Sequence, residues 1–189
     1  QTEKAAQALA QSKRGAMKAP AGCGKTQVIA TAVAKHGGHR ELILTHTHAG
    51  VDALRQRLVS LGAPASRYQI DTIAGWSLRL ASGFPATTGL PSAQPRTNEE
   101  YGAVYKGVTR LAHLSPIREI LRASYSGVYV DEYQDCTVGQ HDLVTALTGV
   151  LDHGWGQALD LIQDIRLDLR ERLLPHAGAL AVLRFPEVD

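Results

Sequence analysis

Two clusters of residues in this chain have the types and spacing to do chemistry together. The first is Ala19-Pro20-Ala21-Gly22-Cys23-Gly24-Lys25-Thr26, which departs from the phosphate-loop pattern G-x-x-x-x-G-K-[ST] at its first position, where Ala19 replaces glycine. Gly22 and Gly24 still let the loop curl so that successive backbone N–H groups face an anion at a helix N-terminus. In that arrangement Gly22, Cys23, Gly24, Lys25 and Thr26 surround the β-phosphate of a nucleoside triphosphate. Lys25 neutralises the β- and γ-phosphates, and the Thr26 hydroxyl ligates Mg²⁺. The competing reading is a glycine-rich turn that opens a helix, with Gly-Lys-Thr there by chance.

The second cluster is Val128-Tyr129-Val130-Asp131-Glu132, an apolar run that ends in two carboxylates. In a doubly wound sheet the strand C-termini share the edge that carries the phosphate loop. Asp131 is therefore expected to hold Mg²⁺ through water beside Thr26. Glu132 is expected to orient, or take the proton of, the water that attacks the γ-phosphate. A strand that simply stops at a charged turn is the alternative, but the two clusters support each other.

The surrounding sequence must supply elements that bring these clusters together. Residues 1–11 are good helix formers without a breaker. An apolar stretch from Gly15 leads into the glycines, and residues 26–33 continue in a helical pattern, giving strand, loop, helix. Glu41-Leu42-Ile43-Leu44-Thr45 suits a buried parallel strand. Val51, Leu54, Leu58 and Leu61 share a helical face, Tyr68-Gln69-Ile70-Asp71-Thr72-Ile73 is a third strand, and a helix begins at Trp76. Residues 83–98, rich in Gly, Pro, Ser and Thr, read as a long loop, residues 101–122 return to helical spacing, and residues 143–151 form a helix. Leu159, Ile162, Ile165, Leu169 and Leu173 lie on one face of an amphipathic helix over 158–174, and Ala181-Val182-Leu183 is a final strand. Strands alternating with helices imply an α/β domain with a parallel sheet and flanking helices.

Taken together, the clusters resemble two motifs of the UvrD/Rep-like superfamily 1 DNA helicases. Residues 19–26 are similar to motif I, and Val130-Asp131-Glu132-Tyr133-Gln134-Asp135 is similar to motif II, where the Gln-Asp pair is the specific part. The resemblance covers about residues 15–147 and implies a P-loop NTPase fold of RecA-like type, with ATP and Mg²⁺ as cofactors. It implies that Lys25, Glu132 and Gln134 act in catalysis, the glutamine coupling the nucleotide site to the DNA-binding face. Leu44-Thr45-His46-Thr47-His48-Ala49, followed by Ala53-Leu54-Arg55-Gln56-Arg57, is similar to motif Ia. That likeness makes Thr47 and His48 candidates for contact with single-stranded DNA, whereas a surface or capping role is the alternative for His46 and His48. Asp71-Thr72-Ile73-Ala74-Gly75-Trp76 resembles the Thr-Phe-His segment, although Ile73 and Ala74 replace the aromatic residue and the histidine. Thr72 and Trp76 are further candidates, Trp76 either as a stacking face for a base or as a core side chain. Preference for adenine is an expectation of the resemblance, since Gln1 and Gln7 bracket the usual glutamine without matching it.

The family's Gly-Asp-x-x-Gln segment and the arginine-bearing motifs of its second RecA-like domain are not found in this sequence. A fragment, or a chain with residues omitted near 151–152, is therefore expected. An arginine finger typically supplies about 10³–10⁵ in the rate of phosphoryl transfer, so hydrolysis without the second domain should be slow. The expected organisation is a RecA-like ATP-binding domain over 1–82 and 125–151, a small helical insertion subdomain over 83–124, and a helical segment over 152–189, from a second domain. The resemblance implies an ATP-dependent DNA helicase or translocase module. A nucleotide-binding switch or interaction module of a repair or defence complex is the rival, and a P-loop phosphotransferase lacks an evident acceptor site.

Composition permits this reading without demanding it. A hydrophobic content of 44% in 189 residues is enough for a sizeable core. The formal net charge of +2 is too small to argue for a nucleic-acid partner from global electrostatics. No apolar run approaches the roughly 20 residues of a membrane span, and no secretory signal is evident, so a cytoplasmic location is expected. Cys23 and Cys136 are too few for a disulfide framework.

Overall fold

The structure, a computed structural model, describes residues 2–11, 13–18, 24–90, 94–151, 153–157 and 181–184. Six strands form one sheet: β1 (Arg14–Lys18), β2 (Glu41–Thr45), β3 (Tyr68–Thr72), β4 (Gly127–Val130), β5 (His153–Gln157) and β6 (Ala181–Arg184), in the order β3-β2-β4-β5-β1-β6. Every pairing is parallel. All strand C-termini therefore point to one edge, the edge at which both sequence clusters end.

The period of two in the central strands determines what covers each face. Leu42 and Leu44 of β2, with Val128 and Val130 of β4, face one core, whereas Ile43 and Tyr129 face the other. The second core is closed by α1 (Thr2–Gln11), α2 (Lys25–His36) and α3 (His48–Ser60), through Leu9, Val28, Ile29, Val33, Leu54 and Leu58. The first is closed by α4 (Ile73–Gly83), α6 (Asn98–Ala112), α7 (Ser115–Ser124) and α8 (Val138–Val150), with the short α5 (Pro85–Thr88) at its margin. This division follows from handedness. The steps β1 to β2 and β2 to β3 run one way along the sheet and place their helices on one face. The steps β3 to β4 and β4 to β5 run the other way and place theirs on the opposite face.

Three sequence expectations are refined or corrected. Residues 101–122 are helical as their spacing implied, in two pieces: α6 ends at Ala112, Leu114 is extended (φ −75, ψ 133) and α7 restarts with Pro116 in its first turn, where the missing proline N–H costs nothing. The segment 83–124 is not a separate insertion subdomain, because Val104, Val108, Leu111, Ile117 and Leu121 share a core with Leu42, Leu44, Val128 and Val130. Within the stretch 152–189, expected to be a helical segment, residues 153–157 and 181–184 are instead strands of this sheet: β5 lies between β4 and β1, and β6 extends it beyond β1. The helix expected over 158–174 and the loop residues Gly22 and Cys23 lie outside the described residues.

Candidate active site

The helix that follows β1 starts differently from its neighbours. Helices α3, α4, α6 and α8 begin on Thr47, Thr72, Thr97 and Thr137, whose side chains accept from backbone N–H groups of the first turn. Helix α2 begins on Gly24 with no side-chain cap and no acidic residue in its first turn. Gly24 has φ 74 and ψ 26, a left-handed conformation that glycine adopts without steric cost. The first turn of α2 thus receives no side-chain cap from its N-cap residue, and the positive end of the helix dipole there favours an anion. Lys25 and Thr26 occupy that first turn, with Lys25 only 6% exposed.

Asp131 approaches this turn from β4, although β5 separates β4 from β1. The Thr26 hydroxyl donates to Asp131 Oδ2 at 3.3 Å, a contact between residues 105 apart in sequence. The Asp131 backbone N–H donates to the Leu44 carbonyl at 2.8 Å, so the residue is fixed to β2 as β4 ends. Its side chain is buried, and its Oδ1 atom has no hydrogen-bond partner among the described residues. Burial and the neighbouring Glu132 charge push the Asp131 carboxyl above its usual range. The Thr26 hydroxyl, the Glu132 N–H and the Lys25 charge oppose that shift without cancelling it. A buried carboxylate with an orphaned oxygen beside a threonine hydroxyl fits a hard divalent cation such as Mg²⁺, which takes oxygen ligands and usually keeps water and substrate phosphate in its shell. No cluster of three or more His, Cys, Asp or Glu side chains suited to a metal occurs among the described residues.

The Asp131 carboxyl gives a testable sign. A carboxyl whose folded pKa is raised binds more protons folded than unfolded, so its ionisation destabilises the fold as pH rises through the raised value. Asp131→Asn should therefore raise the melting temperature of the nucleotide-free protein at neutral pH and cut the further rise on adding ATP with Mg²⁺ to that given by ATP with the metal chelated. A thermal melt without nucleotide, with Mg-ATP and with ATP and the metal chelated reads both effects, and a lower melting temperature in the ligand-free variant would contradict the assignment.

Glu132 has φ 55 and ψ 44, and among the described residues it is the non-glycine residue with positive φ. Left-handed backbone costs a non-glycine residue about 1–2 kcal/mol, a cost exceeded by the burial of Tyr129 and Val130 just before it, at about 1.5–3 kcal/mol per large apolar side chain. The turn Tyr133–Asp135 follows, and the Gln134 amide donates to Glu132 Oε2 at 2.5 Å. Tyr133 anchors the turn on α8 through a hydrogen bond between its hydroxyl and His141 Nδ1. Burial raises the Tyr133 hydroxyl well above its ordinary value, so it stays protonated. These contacts hold Glu132 at the same sheet edge as Lys25 and Thr26. Neither His141 nor the backbone state of Glu132 was legible in the sequence.

The candidate nucleic-acid residues divide into two groups. Thr47 and His48 are exposed at the C-terminal end of β2, with the Thr47 hydroxyl accepting from Gly50 N–H at 3.0 Å. Thr72 is 6% exposed, and its hydroxyl accepts from Gly75 N–H at 2.9 Å, so its side chain is committed to capping α4. Trp76 is 4% exposed within the core formed by Leu44, Val104 and Val130. Its indole N–H points to the Tyr125 hydroxyl at 3.5 Å. Of the two readings of Trp76, a stacking face or a core side chain, the structure has the second: the apolar face of α4 is buried under the sheet, and Trp76 lies on that face.

No family model matches the chain, and no curated protein matches it. Solved structures do match, among them the crystal structure of the UvsW helicase from bacteriophage T4. That match has a TM-score of 0.57 at 11% sequence identity and covers 97% of this chain and 58% of the other. The likeness is one of fold alone: both structures share the parallel α/β architecture. The chain spans 58% of the length of that helicase structure. No helix among the described residues is long and apolar enough to cross a membrane.

Proposed function

We propose that this chain is an ATP-dependent nucleic-acid motor module of the UvrD/Rep-like kind, acting on single-stranded DNA. The observation that supports this reading best is the approach of the Thr26 hydroxyl to Asp131 at 3.3 Å, with the first turn of α2, whose N-cap is Gly24, beside it. Lys25 and the first-turn N–H groups bind and orient the phosphates. Thr26 and Asp131 are the residues that would hold Mg²⁺, which when bound neutralises charge on the β- and γ-phosphates. Glu132, held by Gln134, orients the attacking water and accepts its proton. Thr47 and His48 contact the DNA strand on the same edge of the sheet. A second RecA-like domain, closing on the nucleotide, supplies the arginine needed for rapid turnover and movement.

The UvrD/Rep assignment draws on the motif resemblance, because the fold is shared with the T4 UvsW helicase at only 11% identity. The test is ATP hydrolysis measured with and without a single-stranded oligonucleotide. Stimulation by the oligonucleotide is the expected result. Tight nucleotide binding without stimulation would overturn the motor reading in favour of a nucleotide-binding switch.

A further inference from the structure

Strands β2 and β4 are neighbours, but the helices after them leave on opposite faces, α3 toward Ile43 and Tyr129 and α8 toward Val128 and Val130. A crevice opens where adjacent strands diverge in this way. One wall is the loop His46-Thr47, which leads into α3. The other is the turn Tyr133–Asp135 with Cys136, which leads from Glu132 into α8. His46 Nε2 and Cys136 Sγ meet across the crevice at 3.7 Å, joining residues 90 apart in sequence.

Both partners are fixed from behind. Cys136 N–H donates to the Tyr133 carbonyl at 3.0 Å, which ties the thiol to the turn that carries Gln134. His46 directly precedes Thr47, whose hydroxyl caps α3. Cys136 is half-buried, and burial together with Asp135 pushes its thiol up to about 12. The sulfur is therefore a neutral S–H group that hydrogen-bonds to imidazole, not a thiolate nucleophile.

We propose that His46 and Cys136 are positioning residues that couple the two loops, so that occupancy of the phosphate site alters the affinity of the Thr47-His48 loop for single-stranded DNA, and the reverse. This inference rests on the nucleic-acid reading given above. The contact has the properties such a device needs: it links one loop to the other by side chains, it touches neither ligand site directly, and a weak thiol–imidazole bond can be broken without unfolding either loop. Linkage makes the effect reciprocal, and couplings of this sort are commonly about 5- to 150-fold in affinity.

The experiment is a titration of a fluorescent ATP analogue with Mg²⁺, in the absence and in saturating presence of an oligothymidylate. It is run on the unsubstituted chain and on His46→Ala, Cys136→Ala, Cys136→Ser and the double alanine variant. The unsubstituted chain should show a severalfold change in nucleotide affinity on adding the oligonucleotide. Each alanine variant should keep its separate affinities for nucleotide and oligonucleotide but lose most of that ratio. The double variant should lose no more than either single one, because both substitutions remove the same contact. Cys136→Ser, which keeps a donor at the position, should restore part of the ratio. An unchanged ratio in His46→Ala would overturn the inference, as would loss of both separate affinities, which marks the pair as merely structural. If the oligonucleotide fails to bind the unsubstituted chain, the nucleic-acid reading itself falls and takes the coupling with it.

Discussion

Replacing Lys25 with alanine should weaken ATP binding by about 30-fold to 5 × 10³-fold, the range for truncating one partner of a buried, hydrogen-bonded charge pair. The expectation comes from where Lys25 sits. It occupies the first turn of α2, is only 6% exposed, and lies near enough to Asp131 for its charge to oppose the rise in that carboxyl. A triphosphate in this place would meet the helix N-terminus and the ammonium group together. Arginine should not substitute well, because its planar fork presents a different donor geometry from that of a compact ammonium. Equilibrium titration of ATP with Mg²⁺ checks the effect, with a thermal melt to establish that the variant is folded. Unaltered ATP affinity in a folded Lys25→Ala variant would remove the phosphate-loop assignment.

Glu132→Gln should separate binding from turnover. The substitution keeps the shape of the side chain and still offers an oxygen to the Gln134 amide, which now donates to Glu132 Oε2. It removes the group able to take a proton from water. Loss of a general base typically costs about 10²–10⁴ in rate. ATP hydrolysis should fall within that range while ATP affinity is retained, as measured by single-turnover hydrolysis beside a binding titration. Retained turnover would mean that the base lies elsewhere. Loss of affinity in parallel would mean that Glu132 serves the fold of the turn, where it sustains a left-handed backbone at φ 55.

The convergence of Thr26 with Asp131 was legible because each half is a local pattern with its own physical logic. Gly24-Lys25-Thr26 opens a helix, Asp131-Glu132 closes an apolar strand, and a parallel sheet brings both ends to one edge. Strands β2 and β4 were legible for a related reason, since Leu42-Ile43-Leu44 and Val128-Tyr129-Val130 are apolar at every position and are buried on both faces. Strand β5 was not. His153-Gly154-Trp155-Gly156-Gln157 has little strand propensity, and it is a strand because β4 and β1 pair with it on either side. Tertiary context overrides local preference there.

Side-chain partnerships across the sheet edge escaped for a different reason. His46 with Cys136 and Tyr133 with His141 are contacts of geometry, and no spacing rule announces them. Trp76 was left between a stacking face and a core side chain, and the helical face it occupies with Ile73 and Ala81 puts it in the core. Thr72 was drawn toward a ligand role when its hydroxyl serves the first turn of α4. At both positions burial and capping decided the outcome, and only Thr47 and His48 remain exposed as candidates.

Whether Thr26 and Asp131 make one Mg²⁺-dependent triphosphate site with Lys25 decides the proposed function. The direct measurement is a calorimetric titration of ATP into the protein, with Mg²⁺ and with the metal chelated. Saturable binding that strengthens with Mg²⁺, and that loses its Mg²⁺ dependence in Asp131→Asn, is the predicted result. Absence of ATP binding to the folded protein under both conditions would contradict it.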